Sequence, residues 1–81
     1  METRLAIIGI IVEDRTAAGE INNLLSEYSE FIKGRMGIPY DVKSVSVISV
    51  VMDAPMDAIS ALSGKLGALQ GVSTKTVYSK K

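Results

Sequence analysis

The chain contains no cysteine and no histidine, and these two absences exclude a large share of protein chemistry. Without cysteine there is no disulfide, no thiolate nucleophile and no cysteine-ligated metal or iron–sulfur centre. Without histidine the commonest metal ligand and the usual general base are missing. Long apolar runs are missing too. The longest, Leu5–Val12, has eight residues, against the roughly 20 of a membrane-spanning helix. Met1-Glu2-Thr3 lacks the basic start of an export signal, so a cytoplasmic location with no membrane contact is expected. Excess charge is the last absence. Nine Lys+Arg balance nine Asp+Glu, whereas a nucleic-acid-binding domain usually carries a basic surplus. No direct nucleic acid binding is expected.

What remains is an ordinary globular composition. Hydrophobic residues make up 47% and charged residues 22% of 81 residues, which fits one small domain spanning residues 1–81 and excludes general disorder. The acids gather early, at Glu2, Glu13, Asp14, Glu20, Glu27 and Glu30, while most of the bases follow residue 31. A solvated surface accounts for so mild a shift.

The chain reads as two similar halves. Leu5–Val12 is β-branched and too short for a core helix, so it is a strand. Thr16 then offers a helix cap, and Ala17, Ile21, Leu24, Leu25 and Tyr28 form one apolar stripe along a helix over residues 17–30. A second strand over residues 31–38 is interrupted by Gly34 and Gly37 and ends at Pro39, and residues 39–43 read as a hairpin connection. The second half repeats the plan. Val45–Met52 is a strand, Asp53-Ala54-Pro55 opens a helix, Ile59, Leu62 and Leu66 give its stripe, and Val72–Tyr78 alternates as a last strand. Gly64 is assigned a close backbone approach and Gly67 a left-handed cap.

The order β-α-β-β-α-β is the ferredoxin-like split arrangement, an α+β fold with a four-stranded antiparallel sheet in the order 4-1-3-2 and two helices on one face. The first and third strands are then central, and both are apolar on both faces. A half-exposed antiparallel strand should alternate with polar residues. The face without helices therefore calls for a cover, most simply a second copy, since monomers rarely expose large apolar patches. A homo-oligomer through the open sheet face is expected, and a lysine at Ile8 or Ile48, whichever points outward, should break it.

Few residues carry candidate chemistry. Glu13 and Asp14 are adjacent carboxylates at a strand end, too few for a calcium cage. Lys33 and Arg35 protect a bulged or twisted edge strand. Gly64-Lys65-Leu66-Gly67 fails as a phosphate loop, because such a loop ends in Gly-Lys-Ser/Thr between a strand and a helix start. The serines have no histidine to activate them. No catalytic residues, no metal site and no cofactors are assigned.

The stretches Gly34–Pro39, Val47–Pro55, Ser60–Gly67 and Gly71–Thr76, with the opening Arg4–Arg15, resemble the ACT-like family of proteins named as regulators of the iron-only hydrogenase system. The resemblance covers essentially the whole chain. It implies a ferredoxin-like βαββαβ domain that assembles through its sheet and serves a regulatory role. The fold is also similar to the ligand-sensing domain of nickel-responsive repressors. Nickel sensing does not carry over, because the His and Cys that hold the metal there are absent here.

Three readings follow, in descending order: a stand-alone small-molecule-sensing regulator, a ligand-free interaction or assembly module, and an enzyme. For the first, the topology brings the end of the first strand beside the end of the second helix, with the Pro39–Lys43 hairpin and the start of the first helix at the same edge. The expected site binds a small anionic metabolite. It is bordered by Asp14, Arg15, Thr16 and Lys65, with Gly67 and Gly71 letting the ligand approach the backbone and Arg35 added from a neighbouring subunit.

Overall fold

The computed structural model describes residues 2–80. The chain runs β1 (Arg4–Val12), α1 (Ala18–Glu27), β2 (Ile32–Tyr40), β3 (Val45–Ala54), α2 (Met56–Gly67) and β4 (Val72–Tyr78), with one-turn 3-10 segments at Arg15–Ala17, Ser29–Phe31 and Asp41–Lys43. The strands form one antiparallel sheet in the order β2-β3-β1-β4, which is 4-1-3-2 read from the other edge. This is the expected ferredoxin-like sheet.

Register decides which residues share a face, since directly paired residues point the same way. Ile8 faces Val50 and Ala6 faces Met52. All four are buried, together with Ile10 and Val12, against Ile21 and Leu25 of α1 and Ile59, Leu62 and Leu66 of α2. Both helices therefore lie on this face. The other face holds Leu5, Ile7, Ile11, Val47 and Val77, each between 40% and 64% exposed, and β2 adds Met36, Ile38 and Tyr40 through its pairing with Ser49, Val47 and Val45. Ile8 and Ile48 both sit on the helix side, Ile8 fully buried and Ile48 packed on the core. Neither probes the open face; Ile7 and Val77 do.

The cover is incomplete at one edge. Among the residues of β2 only Ile32 is even half-buried. Its inner-face positions, Arg35, Gly37 and Pro39, pair with Val50, Ile48 and Ser46 and offer α1 no apolar bulk to pack against. Register shifts between Ile32 and Gly34, with Lys33 as the extra residue of a bulge, a common edge protection.

Several local expectations need correction. The first helix is shorter than 17–30, because 3-10 turns flank it on both sides. β2 continues through Pro39 to Tyr40, which an edge strand tolerates since no partner needs the missing N–H. β3 extends through Asp53 to Ala54, and the α2 cap is Pro55 without a side-chain bond. Gly64 meets nothing within 4 Å, and the left-handed glycine is Gly71, at φ 75, rather than Gly67.

The glycines give a paired prediction. A Cβ on Gly71 would lie 2.5 Å from Asp14 Cβ in a backbone conformation L residues avoid, so Gly71→Ala should cost about 2–4 kcal/mol. Gly64→Ala, in open space on α2, should stabilise by about 0.5–1 kcal/mol. Urea denaturation midpoints of the two variants should move in opposite directions.

Candidate functional site

β1 ends at Val12, and the following residues take on separate tasks. Asp14 holds an extended backbone and caps the first 3-10 turn. Its Oδ1 accepts from the Thr16 backbone N–H at 3.0 Å and from the Thr16 hydroxyl at 2.6 Å. These two bonds, the hydroxyl's first, hold the Asp14 carboxyl below its ordinary range. Thr16, read from sequence as the cap, is thus the capped residue. Gly71 packs directly on this turn, and its carbonyl accepts from Glu13 N–H at 2.7 Å. The close backbone approach that Gly71 permits is taken by Asp14 itself.

Arg15 leaves the turn in another direction. Its Nη2 donates to Asp41 Oδ1 of the β2–β3 connection at 3.1 Å, with both side chains at least half exposed. From the inner face of β2, Arg35 Nη2 donates to Asn22 Oδ1 on α1 at 3.2 Å. Arg15, Asn22 and Arg35 line one cleft of about 410 Å³ where β2 is left uncovered, with Val12, Ile21, Pro39, Ser46 and Ile48 among its walls. That size falls within the range of small-ligand sites. Arg35 reaches the cleft from the same chain as Arg15, with no neighbouring subunit required.

Lys65 is occupied elsewhere. Its ammonium donates to the Tyr28 hydroxyl at 3.0 Å and lies 5.2 Å from that ring's centroid. The hydrogen bond to Tyr28 raises its pKa above the ordinary lysine value. Gly67 closes α2, where a Cβ would stand 3.2 Å from Thr74 Oγ1. Neither residue lines the cleft. Of the expected set, the structure brings Arg15 and Arg35 together, sets Asp14, Thr16 and Gly71 into the adjoining turn, and leaves Lys65 and Gly67 with α2. Asn22 carries no sequence signal beyond being a polar residue on a helix, while Asp41 belongs to the 39–43 connection expected at this end but carries no motif of its own.

Among the described residues, no group of three or more acidic side chains could hold a metal ion, and no helix is long and apolar enough to cross a membrane. The TM1266-like family model, whose description reads "Iron-only hydrogenase system regulator, putative", matches residues 4–76. The chain belongs to the TM1266-like family. The structure of TM1266 from Thermotoga maritima is 40% identical, with a TM-score of 0.93 over 98% of this chain and 100% of that one. Two more distant structures share the fold. The ACT domain of GTP pyrophosphokinase from Chlorobium tepidum is 22% identical at TM-score 0.73, covering 100% of this chain and 91% of that one. A nitrogen regulatory PII-like protein from Thiomonas intermedia, bound to ADP, AMP and bicarbonate, is 15% identical at TM-score 0.53, covering 98% and 99%. No curated protein matches the chain. Membership in the TM1266-like family supports a regulatory domain on an ACT-like fold.

The Asp14 turn sets a pH prediction. A carboxyl held low stabilises its turn above the ordinary carboxylate range, and that contribution fades as pH falls through its depressed pKa. Thr16→Val removes the hydroxyl donor, so Asp14 should titrate closer to its ordinary value. Carboxyl carbon shifts followed by NMR from pH 6 to about 2 should show the upward move, and an unmoved midpoint would assign the depression to another cause.

Proposed function

We propose that this chain is an ACT-like regulatory domain that senses a small anionic molecule, in line with the family's link to the iron-only hydrogenase system. One observation carries the reading: two guanidinium groups, Arg15 and Arg35, line a single cleft that has no carboxylate among its lining residues. Such a site favours an anion over a neutral or cationic ligand. Asp14, Thr16 and Gly71 shape the adjoining turn, and Lys65 and Gly67 lie outside the contact set. The PII-like relative, which holds nucleotides and bicarbonate, is consistent with a ligand-dependent role for this fold.

The signal is carried by a homo-oligomer joined through the open sheet face. Leu5, Ile7, Ile11, Met36, Ile38, Tyr40, Val47 and Val77 are all substantially exposed there, a contiguous set of apolar side chains of the kind that marks an interaction surface. The same face supports a second reading, an assembly module with no ligand. A metabolite screen by thermal shift that finds no anion, on a protein that still self-associates, favours that second reading.

Two outcomes are expected. For an anion found by such a screen, calorimetric titration should show Arg35→Ala weaker by about 1.5–3 kcal/mol, with Lys65→Ala within about 0.5 kcal/mol of wild type. Unchanged affinity in both Arg15→Ala and Arg35→Ala would remove the cleft as the site. In sedimentation at micromolar concentration the wild type should be oligomeric, and Ile7→Lys and Val77→Lys should shift it toward monomer. A wild-type monomer would overturn the assembly.

A further inference from the structure

The charges around the cleft are unequal, and the inequality bears on the class of ligand. Arg15 already has a carboxylate, since its guanidinium pairs with Asp41. Among the described residues, Arg35 contacts only the neutral amide oxygen of Asn22, and no carboxylate pairs with it. No acidic residue lines the cleft. The resting site thus presents one net positive charge beside apolar walls. Ser46 adds a hydroxyl that has no hydrogen-bond partner among the described residues, on the same inner face as Arg35.

We infer that the cleft takes a small organic monocarboxylate, with its charge on Arg35 and its apolar body against Val12, Ile21 and Ile48, and that Asp41 competes with the ligand for Arg15. The inference rests on the anion-sensing reading above and adds the ligand's class and its internal competitor. The planar fork of a guanidinium matches the two oxygens of a carboxylate, and donors not used on Asn22 remain for it. A dianion would need a second full charge. Arg15 could supply it only by giving up Asp41, and the released carboxylate would stand close to the new negative charge. A monoanion is held by Arg35 without full release of Asp41, draws only the share of Arg15 that this carboxylate gives up, and gains from apolar walls that a bare inorganic ion cannot use. The Arg15–Asp41 pair joins the β1–α1 turn to the β2–β3 connection, so a carboxylate that also draws on Arg15 loosens that tie as it binds.

The test is an amide NMR titration of the oligomer-competent chain with benzoate, benzamide and inorganic phosphate. Benzoate should shift the amides of Asn22, Gly37 and Ile48 saturably, and benzamide should bind at least about tenfold more weakly. Arg35→Ala should weaken benzoate by about tenfold or more. Asp41→Asn should tighten it roughly two- to fivefold, the range expected on removing an exposed ion-pair competitor. Both altered residues are exposed, and unchanged spectra away from the cleft check that the fold is kept. Equal binding of benzoate and benzamide overturns the inference, as does an unchanged affinity in Asp41→Asn. Phosphate bound more tightly than benzoate at these amides overturns it while leaving the anion-sensing reading in place. No shift at these amides with either anion overturns both.

Discussion

β1 and β3 pair along nine residues, from Arg4 with Ala54 to Val12 with Ser46, and this ladder is apolar on both faces. The rest of the molecule is arranged around covering it. Ile8, Ile10, Val50 and Met52 are fully buried beneath the helices, and burial of one such side chain contributes about 1.5–3 kcal/mol. The exposed polar contacts at the rim, such as Arg15 with Asp41, contribute about 0–1 kcal/mol each. Packing therefore sets the positions of the elements. The rim side chains take whatever partners that packing brings within reach, and this is why they are available for other work.

The cleft follows from the inner face of β2. A helix settles where the sheet offers apolar bulk, and β2 presents Arg35, Gly37 and Pro39 toward the helix layer. α1 accordingly buries Ile21 and Leu25 over the central strands and meets β2 with a polar contact, Asn22 to Arg35. A large aliphatic residue at position 37 would fill that space. The two glycines of Gly34-Arg35-Met36-Gly37 differ accordingly: Gly34 follows the bulge, on the open face with Val51, while Gly37 leaves room in the cleft wall beside Ile48.

Element order and sheet topology were legible because each half carries one strand run, one helical stripe and one further strand, and only a few topologies accept that order. The two-sided apolar character of β1 and β3 also identified them as central. Element ends were less legible. Thr16 and Asp14 both satisfy cap preferences, and only the backbone bend that puts Asp14 on the Thr16 N–H separates them. Lys65 was assigned to the ligand end because α2 finishes there. Its long stem carries the ammonium to Tyr28, at the other terminus of α1, which a one-dimensional reading of helix ends does not reveal. Arg35 and Arg15 were both marked, but their meeting in one chain depends on how far α1 stops short of β2, a distance that periodicity does not encode.

Successive residues of a strand point to opposite faces, and β2 and β3 show this alternation beside the cleft. Arg35 and Gly37 face the cleft while Met36 and Ile38 face the open side; Ile48 packs inward while its neighbour Val47 pairs with Ile38. The cleft and the apolar face therefore adjoin across one pair of strands, and Ile38 and Val47 of the open face also reach the cleft lining. A ligand that moves β2 by even a fraction of an ångström necessarily alters the surface offered to a second copy, because packed interfaces tolerate little displacement. Linkage makes the effect mutual: if occupancy changes the association constant by some factor, association changes ligand affinity by the same factor. β2 carries a bulge at its start and glycines at 34 and 37, features that weaken a strand's pairing and side-chain packing. Given a ligand in the cleft and a second copy on the open face, one sheet would couple the two without a hinge or a second domain.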